Sequence, residues 1–122
     1  MSESAILDQA ALDRLREWGG EKLLGQMVRL FLDNSVARMD QIRTGAQGGD
    51  IKEAEKGAHS LKSSAANIGA EQLRTLAASM EHRAADGEVA ACSALLAELE
   101  HAYAQARTAL EKLEEKDKET NS

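Results

Sequence analysis

Glycines divide this chain into segments that each have the composition and the apolar spacing of an α-helix. Proline is absent, and the strong helix formers Ala, Leu, Glu, Lys, Gln and Arg outnumber the β-branched residues. Within the segments, apolar residues recur at i, i+3 and i+4, so that each helix has one apolar face. The sequence therefore predicts an all-α fold.

The predicted helices cover about residues 8–18, 21–44, 51–68, 71–85 and 89–113. The glycines expected to end them are Gly19, Gly20, Gly45, Gly48, Gly49, Gly69 and Gly87. Asp50 is predicted to be the N-cap of the third helix, with Glu53 at the capping-box position. Residues 114–122 are highly charged, and we expect them to form a frayed tail.

The short connections predict how these helices pack. Helices joined by a few residues lie antiparallel to their neighbours in the chain. We therefore predict an antiparallel up-down-up-down four-helix bundle, with a short extra N-terminal helix packed across one end. The 122 residues are expected to form one domain, with its core over about residues 8–113.

The charge and the cysteine content exclude several classes of function. The net charge is -6 and no basic stripe is present, so we expect no nucleic-acid partner. Cys92 has no second cysteine with which to form an internal disulfide, which fits a reducing compartment. No apolar stretch is long enough to span a membrane, and the N-terminal residues lack the basic start of a signal peptide. We expect a cytoplasmic protein.

His59 is the candidate functional residue. On the third helix it lies roughly 130° from the centre of the apolar stripe, so we expect it to face water. Its neighbours Ser63 and Ala66 are small, and Lys62 lies one turn away. A neutral imidazole has a lone pair for attack on phosphorus, and a nearby cation favours that neutral form. The lysine is also able to pair with phosphoryl oxygens. By spacing alone, however, a histidine beside a lysine is more often ordinary solvated surface.

A family resemblance supports the functional interpretation. Residues 58–70 read AHSLKSSAANIGA, which resembles the His-x-Leu-Lys-Gly signature of histidine phosphotransfer (HPt) domains, followed by small residues, an apolar residue and Gly-Ala. The similarity extends more loosely over about residues 12–113, including Phe31-Leu32 and Met80-Glu81. One departure is Ser63, because glycine is common at that position of the family.

The resemblance implies a phosphorelay intermediate that shuttles a phosphoryl group between aspartates of response-regulator receiver domains. In that interpretation His59 carries the group on Nε2 and Lys62 lies beside it. Glu81 matches a family Gln or Glu close to the histidine. The expected docking residues are Lys52, Glu55, Lys56, Ser63, Ala66 and Glu81.

The same resemblance implies the partners and cofactors. Receiver domains and a hybrid sensor kinase are the expected partners, and the receiver is expected to supply Mg²⁺. We expect this chain itself to bind no cofactor and no metal, to lack ATP-dependent kinase activity, and to be a monomer.

Three alternatives follow from the same residues. A histidine kinase dimerisation domain normally has an acidic residue after its histidine and a proline nearby, whereas Ser60 follows His59 and proline is absent. A metal site built from His59, His82, His101 and Cys92 lacks paired ligand spacing, and we expect Cys92 in the core and the other two histidines in solvent. A helical-bundle adaptor that binds its partners without phosphorylation remains open.

Overall fold

The architecture is seen in a computed structural model that describes the backbone of residues 6–121 and the side chains of residues 6–116. It has four helices in the order α1 (Gln9–Gly48), α2 (Ile51–Ile68), α3 (Glu71–Ala85) and α4 (Val89–Asn121). Over this part of the chain no residue belongs to a β-strand, so the all-α prediction is confirmed.

Helix α1 is interrupted at Gly20, where the backbone is not helical (φ 71°, ψ -167°). The interruption lies where the sequence predicted the first helix to end. The segment before it begins at Asp8, whose carboxylate caps the helix by accepting a hydrogen bond from the Ala10 amide at 3.1 Å. The Asp8 amide donates to the Gly69 carbonyl at 2.7 Å, so the start of α1 lies against the turn between α2 and α3.

The helices form a closed ring, in which α1 contacts α2 and α4, and α3 contacts α2 and α4. Arg29 of α1 pairs with Glu114 of α4 at 3.0 Å, and Arg43 pairs with Glu100 at 2.6 Å. The α4 partner moves backwards along the chain as the α1 residue moves forwards, so these two helices run in opposite directions. Apolar residues of all four helices fill the centre of the ring.

The core contains large aliphatic side chains and a small polar network. Its largest fully buried residues include Leu32, Met39, Ile42, Leu61, Ile68, Leu73, Met80, Leu99, Leu110 and Cys92. Ser35, which is also buried, shares a 2.9 Å hydrogen bond with the Tyr103 hydroxyl. Arg107 donates to that hydroxyl at 3.0 Å and to the Leu32 carbonyl at 3.1 Å. The buried Ser35 hydroxyl thereby has a partner, and α4 is joined to α1.

Gly45 does not end α1 as predicted, because the helix continues to Gly48 and its C-cap is Gly49. The absence of a side chain at Gly45 allows α2 to approach α1 closely. A Cβ atom there would lie 2.5 Å from the Ala54 amide nitrogen and 2.7 Å from the Asp50 carbonyl oxygen. Gly45 is therefore a packing residue inside a helix rather than a helix stop.

The predicted capping box is also wrong. Asp50 is the N-cap of α2, but its side chain makes no capping hydrogen bond. The Glu53 carboxylate instead accepts a hydrogen bond from Gln41 of α1 at 2.8 Å and lies 3.5 Å from Lys56. A contact with the neighbouring helix has replaced the local one.

Helical backbone continues into the segment predicted to form the tail. The helical backbone of α4 continues to Asn121, and Glu114 pairs with Arg29 of α1. The fraying of residues 114–122 stays a prediction, and the side chains of residues 117–121 and the whole of Ser122 lie outside the described residues. Among the helices that are described, none is both long enough and apolar enough to cross a lipid bilayer.

We predict that Gly45→Ala destabilises the protein by about 2 kcal/mol, because the added methyl group forces α2 away from α1. The matched control is Gly48→Ala on the same helix, since nothing lies within 4 Å of a Cβ atom at that position. The control is expected to be neutral or to stabilise by about 0.5 kcal/mol. Urea unfolding followed by circular dichroism measures both variants, and equal effects would contradict the close approach.

Candidate functional site

Helix α2 directs His59 outwards because its small and aliphatic residues face the core. Ala54, Ala58, Leu61 and Ala65 are fully buried, while the side chain of His59 is 64% exposed. The position agrees with the helical wheel, in which His59 lies opposite the apolar stripe. The imidazole is therefore held on a rigid, well-packed helix and is open to solvent.

Glu81 of α3 lies beside this imidazole and joins two residues of α2. One carboxylate oxygen, Oε2, is 2.6 Å from Nδ1 of His59, and the other, Oε1, is 2.6 Å from Nζ of Lys62. The Glu81 side chain is only 22% exposed, so it approaches His59 from the groove between α2 and α3 rather than from solvent. The three side chains form one hydrogen-bonded cluster, the His59–Glu81–Lys62 cluster.

Glu81 is held in its ionised form. The hydrogen bond from Lys62 is the main cause that lowers the pKa of this carboxyl, and partial burial acts against it. The hydrogen bond with His59 and the positive charge of Lys62 lower the pKa further. A carboxylate with two donors at short distance favours the charged form over the neutral one.

The cluster decides which ring nitrogen is available. An ionised carboxylate only accepts hydrogen bonds, so Nδ1 of His59 is the nitrogen that carries the proton in this contact. In the neutral ring the lone pair then belongs to Nε2, for which the described residues provide no hydrogen-bond partner. The arrangement therefore presents a nucleophilic nitrogen to solvent.

Lys62 is joined to the imidazole through Glu81 rather than by a direct contact. Its ammonium group pairs with Glu81, and its side chain is 33% exposed. Because the Glu81 carboxylate contacts both side chains, it balances much of the lysine charge near the imidazole.

Small, exposed residues continue the surface from His59 along α2. Ser63 and Ala66 are both exposed. The Ser63 hydroxyl donates to the main-chain carbonyl of His59 at 3.3 Å, which is a bond along its own helix. The Ser63 hydroxyl proton therefore points to the backbone, and Glu81 is the side chain that bonds to the imidazole.

The remaining predicted docking residues lie on the other side of His59 along the same helix. Lys52 and Lys56 are exposed and Glu55 is half-buried. Seven of the eight residues named from α2 and α3 therefore share the outer face of α2, and Glu81 is the one that α3 contributes. Sequence reasoning named Glu81 from the family resemblance but missed its bond to Lys62.

The imagined metal site is not assembled in the described part of the chain. Over those residues no three His, Cys, Asp or Glu side chains lie close enough together to hold a metal ion. Cys92 is buried in the core, whereas His82 is exposed and lies 3.4 Å from Asp86. His101 is also exposed, on α4.

We predict that Glu81→Gln lowers the free energy of unfolding near neutral pH by about 1 kcal/mol or less, as is usual for a partly exposed ion pair. The pKa of Glu81 is lowered by folding, so its contribution is present above the pKa of the unfolded chain. It is lost as the pH falls through the lower, folded-state pKa. The difference between the variant and the unmutated protein is therefore expected to shrink in acid.

Urea unfolding between about pH 3 and pH 7 measures this difference. The control is Glu55→Gln on α2, because this substitution also removes one negative charge and Glu55 makes no ion pair among the described residues. A Glu81→Gln effect that stays constant over this range would show that the ion pair is not the cause.

Comparisons with known proteins agree with this geometry. The Hpt domain family matches residues 26–109, which is more than two thirds of the chain. The fold is similar to the crystal structure of histidine-containing phosphotransfer protein B (HptB) from Pseudomonas aeruginosa PAO1, with a TM-score of 0.84 and 25% sequence identity. That similarity covers 91% of this chain and 96% of the other. A comparison with curated protein sequences gives no significant match. The chain therefore belongs to the Hpt domain family of histidine phosphotransfer proteins.

Proposed function

We propose that His59 accepts a phosphoryl group from an aspartate of one receiver domain and passes it to an aspartate of another. The observation that carries this proposal is the contact of Glu81 with Nδ1, which leaves Nε2 of an exposed ring unpartnered among the described residues. The family match and the similarity to a histidine-containing phosphotransfer protein support the same role.

The proposed reaction needs no general base from this chain. The Nε2 lone pair of His59 forms a bond to phosphorus, and the bond from phosphorus to the aspartyl oxygen breaks. The leaving electron pair stays on that oxygen as a carboxylate. Nδ1 keeps its proton throughout, so the phosphorylated ring is a cation whose N–H donates to Glu81. The receiver is proposed to supply Mg²⁺, since phosphoryl transfer depends on positioning and charge stabilisation.

Lys62 is proposed to stabilise the transferred group. Its ammonium already lies within the His59–Glu81–Lys62 cluster, at the turn of α2 that follows His59. A phosphoryl group on Nε2 adds two negative charges to this surface, and an ammonium forms strong hydrogen bonds with phosphoryl oxygens. The contact between Lys62 and Glu81 thus positions a cation at the edge of the site.

Lys52 and Lys56 are proposed to help docking rather than transfer. Both are exposed on the face of α2 that carries His59, in a protein with a net charge of -6. A receiver presents an acidic pocket around its aspartate, and complementary charge mainly accelerates association. A hybrid sensor kinase is the proposed upstream partner. The monomeric state and the cytoplasmic location stay predictions.

We predict that His59→Gln abolishes labelling when the protein is mixed with a phosphorylated receiver domain. The phosphate on the unmutated protein is expected to be labile in acid and stable in base, as a phosphoramidate is. Because His59 is largely exposed, the variant is expected to keep its helical circular dichroism spectrum. Histidines 82 and 101 remain in the variant, so they serve as internal controls for nonspecific labelling.

Label that persists in the folded His59→Gln variant would refute the assignment of the phosphorylated residue. If the unmutated protein binds the receiver but takes no label from any cognate receiver, the adaptor alternative is favoured. Titration calorimetry with the unphosphorylated receiver measures that binding.

We predict that rapid-mixing kinetics distinguish Lys62, which affects the rate of phosphoryl transfer, from Lys52 and Lys56, which affect association with the receiver. Lys62→Ala is expected to slow transfer at saturating receiver about tenfold, which corresponds to one lost charge-assisted hydrogen bond. The double variant of Lys52 and Lys56 to Gln is expected to keep the saturating rate but to weaken the dependence of association on salt. Lys22→Gln, on the N-terminal part of α1, is the control for charge alone. Unchanged kinetics in the Lys62→Ala variant would remove Lys62 from the mechanism.

A further inference from the structure

Glu81 contacts the ring nitrogen that is not phosphorylated, so it is able to affect how phosphorylated His59 loses its phosphoryl group as well as how it gains it. We propose that Glu81 holds the proton on Nδ1 of phosphorylated His59 and so keeps the phosphoryl group ready to leave. Glu81 is in this view a positioning residue that makes the phosphohistidine a short-lived intermediate rather than a store. The inference rests on the proposed phosphorylation of His59.

The chemistry of the leaving group explains why this proton matters. When the bond from Nε2 to phosphorus breaks, its electron pair returns to the ring. If Nδ1 carries a proton, the product is a neutral imidazole, which is a good leaving group. If Nδ1 has lost its proton, the product is an imidazolide anion, and the phosphoryl group is retained. Onward transfer to an aspartate and hydrolysis by water therefore both need the proton on Nδ1.

The structure provides one group able to hold this proton. The 2.6 Å contact between Nδ1 and Oε2 of Glu81 is short, and a hydrogen bond to an ionised acceptor is roughly twice as strong as a neutral one. Lys62 binds the other carboxylate oxygen at 2.6 Å and keeps Glu81 ionised. A glutamine at the same place would accept the same hydrogen bond without the charge.

Among the charged groups near the imidazole, Glu81 of α3 is the one that contacts it in the described residues. On its own helix, Glu55 and Lys56 precede His59 by one turn and Lys62 follows it, with Lys56 3.5 Å from Glu53 and Lys62 bound to Glu81. His82 follows Glu81 in the chain but pairs with Asp86 at 3.4 Å. In the described residues no hydrogen bond or ion pair joins the His59 ring to α1 or α4. The proton on Nδ1 is thus controlled mainly by Glu81.

The test measures how fast isolated phosphohistidine loses its phosphate. The unmutated protein, Glu81→Gln and the control Glu17→Gln, at an exposed position of α1, are phosphorylated with potassium phosphoramidate, a small donor that requires no receiver. The donor is removed, and the phosphate on the His59 peptide is followed by mass spectrometry from about pH 6 to pH 9. His101, which is exposed on α4, is followed in the same samples as an internal control.

We expect Glu81→Gln to lengthen the lifetime of phosphorylated His59 about fivefold near pH 8, from the loss of charge assistance at Nδ1. The rate of phosphate loss is expected to fall as the pH rises and Nδ1 loses its proton. In Glu81→Gln this fall is expected to occur at lower pH than in the unmutated protein. Glu17→Gln is expected to leave both unchanged. Glu81→Asp, which keeps the charge on a shorter side chain, is expected to fall between the unmutated protein and Glu81→Gln.

Two different failures are distinguishable. Equal lifetimes and equal pH profiles for phosphorylated His59 in the unmutated protein and in folded Glu81→Gln would overturn the role of Glu81. A change of the same size at His101 would overturn it as well, because the effect would not be local. Absence of phosphate at His59 while His101 is labelled would instead overturn the proposed function.

Discussion

The close packing of α2 against its neighbours is the constraint on which the site depends. Gly45 of α1 leaves room for the backbone at Ala54, and Gly57 of α2 packs against the Ile42 side chain and the Arg38 carbonyl. Small residues at such contacts let two helices approach until their backbones nearly touch, and a methyl group is enough to prevent it. With its inner face packed in this way, the opposite face of α2, which carries His59, is turned to solvent.

The same packing brings α3 close enough for Glu81 to reach two residues of α2. A partly buried carboxylate is costly unless its oxygens have donors, and here each oxygen has one, from His59 and from Lys62. The cluster satisfies the charge of Glu81 and at the same time orients the imidazole. The Glu81 side chain therefore links α3 to α2 and also orients the imidazole, while the Nε2 side of the ring faces solvent.

Local patterns in the sequence predicted the helices well where only the helix itself was involved. The bounds of α2 and α3 and the C-cap at Gly69 agree with the structure, because they depend on residues within one or two turns. The predictions that were wrong involve a second helix in each case. Gly45 lies inside α1 at the point where α2 packs on it, and the Glu53 carboxylate accepts a hydrogen bond from Gln41 of α1 instead of capping its own helix.

The sequence by itself determined that His59 lies on the outer face of a helix beside Lys62. That result needs only the 3.6-residue repeat, which relates residues a few positions apart. The tertiary structure alone decided that Glu81 joins these two residues, because it is 22 positions from His59 in the chain. Whether its carboxylate meets Nδ1 depends on how α2 and α3 are aligned, and packing around the turn at Gly69 sets that alignment. The chemistry of the imidazole therefore follows from a contact that no local pattern encodes.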